Sequence, residues 1–171
     1  MEKRNFFMKT ATKKLARAGV IAGLYTAVSM LAFPISGGAI QIRISEALTL
    51  LPLFFIEAVP ALAVGCLLSN LFLGCALYDI ILGSLVTLIS AIFTYIFGRV
   101  IKNKPFKIAV GGLFPILLNA FFLPLIWILC YGVLEYVYYL QVIFLLLGET
   151  LSVYAVGIPL YISIDRTLLK K

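Results

Sequence analysis

Long apolar runs broken by short polar or basic segments make up almost the whole chain. A helix that crosses a bilayer core needs about 20 apolar residues. Residues 15–33 make one such run. Residues 48–98 are too many for one crossing and barely enough for three. Breaks suggest themselves at 57–60, with Glu57 and Pro60, and at 74–79, between Gly74 and Asp79. Proline removes a donor and clashes with the preceding turn, and glycine loosens the backbone. Residues 106–131, interrupted by Pro115 and Pro124, make a fifth span, and residues 141–164 a sixth. The pattern predicts an all-α integral membrane protein of six transmembrane helices, the second unusually short.

Basic residues orient these spans. Lys3, Arg4, Lys9, Lys13, Lys14 and Arg17 precede or open the first run. Arg99, Lys102, Lys104 and Lys107 share one break, and Arg166, Lys170 and Lys171 end the chain. Only Arg43 lies elsewhere. The positive-inside bias makes these clusters cytoplasmic, with both termini inside. Residues 1–14 then form a basic cytoplasmic tail and 15–171 a single membrane domain. The net charge of +7 is explained by anionic lipid headgroups, without nucleic acid as a partner. At 63% hydrophobic residues and a mean hydropathy of +1.13, lipid is the expected solvent, in the cell membrane. The three cysteines form no C-x-x-C pair and there is no histidine, so no metal site is expected.

Polar side chains inside such runs are expensive, roughly 2.5–3.5 kcal/mol for a central charge on insertion scales. Glu149 and Asn119 fall near mid-depth of the sixth and fifth spans, and Asn70 falls in the third. Asp79 opens the fourth and Gln141 the sixth. Asp79 has two readings, a helix cap or a ligand to cargo. Glu57 is expected to cap the third helix, and Asn70 to bond a neighbouring helix. Glu149 is either a protonated structural residue or a group that handles substrate or protons. Small residues at four-residue steps, Ala18–Ala22 and Gly19–Gly23, offer a close-packing face on helix one, for the bundle itself or for a partner. Gly83, Thr87, Ala91 and Thr94 form a similar strip, read as internal packing.

Between the first two runs, Ile40-Gln41-Ile42-Arg43-Ile44 alternates strictly, the signature of an extended chain. Gly37-Gly38 precedes it, and Ser45 is placed to cap a helix beginning near Glu46. Residues 34–46 are therefore expected on the outer side, as a lid over the bundle or as a loop that only seals helix ends. No phosphate-binding G-x-x-x-x-G-K-[ST] motif is present, so the chain holds no ATP motor of its own. Nor does it show the two matched halves of a typical secondary transporter.

The strings QIRISEALTLLPLFFIEAVPALAVGCLLSNLF, YDIILGSLVTLIS and LGETLSVYAVGIPLY resemble the QueT family of membrane proteins, across roughly residues 18–165. The resemblance implies a substrate-binding S component of an energy-coupling factor (ECF) transporter. Such a protein is a six-helix bundle that captures substrate from outside under the loop after helix one. It implies partners, a T component and two ATPase subunits that use ATP, with no cofactor bound by this chain and no enzymatic activity. It also implies that helix one docks the T component, here through Ala18, Gly19, Ala22 and Gly23. The implied cargo is a queuosine precursor, 7-aminomethyl-7-deazaguanine or queuine.

A guanine-like edge presents adjacent donors that one carboxylate accepts together. Glu149 suits that edge, Asn119 the ring carbonyl, and Asp79 or Glu46 the aminomethyl cation. Tyr78 and Trp127 offer stacking faces, although Trp127 is equally suited to anchoring at the membrane interface. Gln41 and Arg43 belong to the lid, where Arg43 and Glu46 touch either cargo or each other. The rival functions are an S component for another flat vitamin-like molecule, a membrane scaffold or sensor without cargo, and a proton-coupled carrier working alone.

Overall fold

The computed structural model describes residues 2–36, 40–132 and 136–169, with side chains left out at 2–9, 35 and 36. Gly37 and Gly38, which precede the alternating stretch, lie outside the described residues. Those described are helical almost throughout. Helix α1 runs Glu2–Ser36, so the expected N-terminal tail is continuous with the first apolar helix. No proline interrupts it before Pro34. A 3-10 helix, Ile44–Leu53, comes next, followed by α2 (Ala58–Phe72), α3 (Leu77–Val100) and α4 (Lys104–Tyr131). Helices α5 (Tyr138–Thr150) and α6 (Gly157–Leu169) join through a π-helical turn at Leu151–Val156.

Both expected breaks occur, but earlier than the expected 57–60 and 74–79, so that Pro60 and Asp79 fall inside helices. Phe54–Glu57 separates the 3-10 helix from α2, and Leu73–Ala76 separates α2 from α3. The second turn needs Gly74, whose φ is +71, a left-handed conformation open to glycine. Helix α4 opens on Asn103, whose side chain accepts the Phe106 amide, and closes on Gly132 at φ +75. It continues through Pro115 and Pro124 instead of breaking at them. Membrane helices tolerate proline because neighbouring groups and local adjustment re-satisfy the freed carbonyls.

Among the described residues, four segments are long and apolar enough to cross a membrane: Thr10–Pro34, Leu77–Val100, Lys104–Tyr131 and Tyr138–Leu169. The 3-10 helix and α2 are apolar but have only 10 and 15 residues, short of a full span. The sequence pattern made both of them spans because it registers apolar length without showing where a segment sits. The 3-10 helix threads the middle of the bundle. Eight of its ten residues are buried, and it packs against α1, α2, α3, α4, α6 and the π-turn. Runs of 3-10 helix beyond three or four residues are uncommon and often mark a hinge. Leu53, at its end, fits against Gly98 of α3, where an added Cβ would lie 2.7 Å from the leucine Cδ2.

The strip of Gly83, Thr87, Ala91 and Thr94 is buried as expected. The caps differ from expectation. Asp79 lies within the first turn of α3, whose cap position is Ala76. Ser45 is inside the 3-10 helix, which begins one residue earlier, after Arg43. Glu57 occupies the cap position of α2 without a capping hydrogen bond, and its carboxylate instead accepts from Arg17 of α1. Asn70 reaches Cys66 Sγ on its own helix, at 3.8 Å.

Candidate substrate-binding cavity

A cavity of about 410 Å3 opens between the C-terminal parts of α1 and α2, the start of α3, the end of α4 and the start of α5. That size falls within the range of small-molecule sites. Arg99, Lys104 and Arg166 sit near the other ends of their helices, and Arg17 precedes the stretch of α1 from Tyr25 to Phe33 that lines the cavity. The cavity is therefore at the end away from the basic clusters.

The segment 41–43 forms part of the wall without regular structure, as an extended lid segment would. Ile44 already belongs to the 3-10 helix, so the extended stretch is shorter than the alternation predicts. The Gln41 backbone lies directly on Gly148 of α5, where an added Cβ would strike the Gln41 carbonyl oxygen and lie 2.8 Å from its carbon. Arg43 lines the cavity. Its Nη2 donates to Gln41 Oε1 at 3.4 Å, and its guanidinium carbon lies 5.7 Å from the centre of the Trp127 ring, a cation–π distance.

Behind Arg43 is a buried pair of carboxylates. Glu46 is 1% exposed and Glu149 is 0% exposed. Tyr25 Oη donates to Glu46 Oε1 at 2.5 Å, and Asn119 Nδ2 donates to Glu149 Oε1 at 3.2 Å. The same asparagine amide lies beside Glu46. The other oxygen of each glutamate, Oε2, has no hydrogen-bond partner. Buried polar atoms are nearly always satisfied, so such atoms call for an explanation. The π-turn begins two residues after Glu149, a placement common at functional sites.

Asp79 is on the cavity wall in the first turn of α3, where the helix dipole favours negative charge. The Trp127 indole lies beside it, and its Oδ1 and the Asn70 amide both crowd the same point beside Gly83. Gln141 of α5 completes this polar wall.

The sequence-derived residues thus fall into three groups. Gln41, Arg43, Asp79 and Trp127 line the cavity, while Glu46, Asn119 and Glu149 are buried behind it. Tyr78 is 59% exposed and outside the cavity, so it offers no stacking face there. Neighbouring helix positions point about 100° apart, so Asp79 facing inward turns Tyr78 outward. The helix-one set divides as well. Ala22 is buried, and Ala18 packs against the same core cluster, whereas Gly19 and Gly23 are exposed with open space around them. Tyr25 was missed by sequence reasoning. Its signal was a phenol in mid-run, where a buried hydroxyl needs a partner.

Apolar helices of spanning length around a cavity with several polar side chains on its wall define a membrane protein with room for a small molecule within the bundle. The chain belongs to the QueT transporter family, whose match covers residues 15–166. It is a transporter family, not an enzyme family. The chain is also similar to a protein of Lactococcus lactis subsp. cremoris (strain MG1363) called queuosine precursor transporter QueT. The two are 35% identical over 83 residues, 47% of this chain and 48% of that protein. The matched stretch thus spans about half the length of that relative. No solved structure matches the chain.

Proposed function

We propose that this chain is the S component of an ECF importer and that it captures a queuosine precursor, 7-aminomethyl-7-deazaguanine or queuine, from outside the cell. The observation that carries this reading is the cavity itself. It joins carboxylate, amide and guanidinium groups to an indole face at the end away from the basic clusters, in a chain of the QueT family. The short 3-10 helix and α2 join the four long helices as six membrane segments, with both termini cytoplasmic. Segment 34–46 acts as the lid.

A flat base enters against Trp127, and the amides of Gln41 and Gln141 are within the same wall. Glu149 accepts the paired donors of the guanine-like edge, and Asn119 answers its carbonyl. Both are buried and off the cavity wall, so cargo reaches them only as side chains of that wall move aside. Glu46, held by Tyr25, anchors the inner end of the lid. The T component docks on the open Gly19–Gly23 face of α1, and two ATPase subunits drive release inside.

Uptake of labelled 7-aminomethyl-7-deazaguanine tests the proposal, in cells carrying this chain with and without an energy-coupling module. Uptake that requires both is the expected result. Uptake without any ATPase would establish a carrier working alone. Thermal stabilisation by another vitamin, with none by the deazaguanines, would overturn the cargo assignment.

A further inference from the structure

We propose that Asp79 reads the charge of the cargo, so that the cavity prefers a deazaguanine whose 7-substituent is a cation over one whose 7-substituent is neutral. This rests on the function proposed above and narrows its substrate class.

Three carboxylates, Asp79, Glu46 and Glu149, face one guanidinium, that of Arg43. The basic side chains at the other end do not help. Asp79 is in the first turn of α3 and Arg99 in the last, about 30 Å apart at 1.5 Å per residue. Charge withdrawn from water must be compensated locally. Arg43 lines the cavity and feels the charge of both inner glutamates, and two carboxylate oxygens of that inner pair still have no partner.

Of the three carboxylates, Asp79 is the one on the cavity wall. Its immediate neighbours, the Trp127 indole and the Asn70 amide, are neutral. Among the described residues the ion pairs are Arg17–Glu57 and Lys104–Asp165, so no cation lies within ion-pair distance of Asp79. An ammonium placed there makes charge-assisted hydrogen bonds to the carboxylate. The adjacent indole face also favours a cation, as its approach to Arg43 illustrates. A nitrile at the same ring position has only an acceptor to offer, and it would meet another acceptor. Sites built around a specific hydrogen bond reject analogues that lack it far more strongly than apolar pockets reject a missing methylene.

The test is equilibrium binding of 7-aminomethyl-7-deazaguanine and 7-cyano-7-deazaguanine to the full chain in nanodiscs. The two probes share one ring system and differ in the substituent's charge. Wild type is expected to bind the amine at least tenfold more tightly. Asp79→Asn is expected to bring the two affinities within threefold. A wild-type preference below threefold, or one undiminished in Asp79→Asn, overturns the proposal. If the asparagine variant does not fold, Asp79→Ser replaces it, and the wild-type ratio still decides on its own. Equal binding of both probes leaves the proposed function standing and removes this inference, whereas binding of neither removes this inference and leaves queuine as the proposed cargo.

Discussion

Gly148→Ala tests whether the lid seats on α5. The added methyl would strike the Gln41 carbonyl oxygen, lying 2.8 Å from the carbonyl carbon and 3.4 Å from the Gln41 nitrogen. Carbon atoms in good contact stand about 3.5–4.0 Å apart, so something must yield by roughly 1 Å. Helix α5 is poorly placed to do so, because Gln141, Leu145 and Glu149 hold it in the bundle. Segment 41–43 makes fewer such contacts, and it should be the part displaced. Overpacking of this kind costs about 1–3 kcal/mol. If the strain falls on the closed lid, cargo affinity drops about 5- to 150-fold, at 1.4 kcal/mol per decade. Most of that loss should appear as faster release. Cargo dissociation in nanodiscs, followed after dilution into unlabelled ligand, measures it directly. Gly19→Ala, with nothing within 4 Å of the new methyl, is the control and should leave release unchanged. A Gly148→Ala protein that binds and releases cargo within twofold of wild type would refute the reasoning.

Other perturbations separate the inner pair from the docking face. Tyr25→Phe removes the 2.5 Å hydrogen bond to Glu46, and a bond to a buried carboxylate predicts a loss of about 1.5–3 kcal/mol in thermal or denaturant unfolding. Asn119→Ala removes the amide donor to Glu149 and should destabilise by a similar amount while weakening cargo binding at least tenfold; unchanged affinity would exclude Asn119 from the site. Gly23→Leu should leave cargo binding within twofold but abolish uptake that depends on the coupling module, because the residue is exposed with open space around it. Arg17→Ala breaks an exposed ion pair to Glu57 and a 4.1 Å contact over Phe55, so about 1 kcal/mol of stability is expected to be lost.

Depth along the membrane was legible in the sequence, and direction around each helix was not. Apolar length and the breaks near Glu57 and Gly74 marked the helices, and the basic clusters separated one end from the other. Asp79, Trp127, Gln41 and Arg43 follow from that reading, because polar groups far from the basic end have few other places to go. Tyr78 and Ala22 show its limit. Each has the right depth but faces the wrong way, and in a chain apolar on all sides no hydrophobic stripe reveals orientation. The 3-10 helix was hidden for another reason. Ile44–Leu53 has the composition of a membrane α-helix, and its tighter winding accompanies its central course among the other helices.

That central course gives the polar cluster at the cavity a mechanical setting. Gln41 rests on α5, and Arg43 faces Trp127 of α4. Glu46 is tied to α1 through Tyr25, and Leu53 is set against α3. Phe55 and Glu57 then meet Arg17, back on α1 near the basic end. One short segment of chain therefore touches the cavity wall, the buried carboxylates and the opposite end of the bundle in turn. Packed interiors shift between discrete arrangements and do not deform smoothly. Movement of Arg43 away from the glutamates would expose two unpartnered oxygens to cargo, and its effect would pass along residues that are almost all buried. A loop that merely sealed helix ends would need neither a buried continuation through the bundle nor charged partners beneath it.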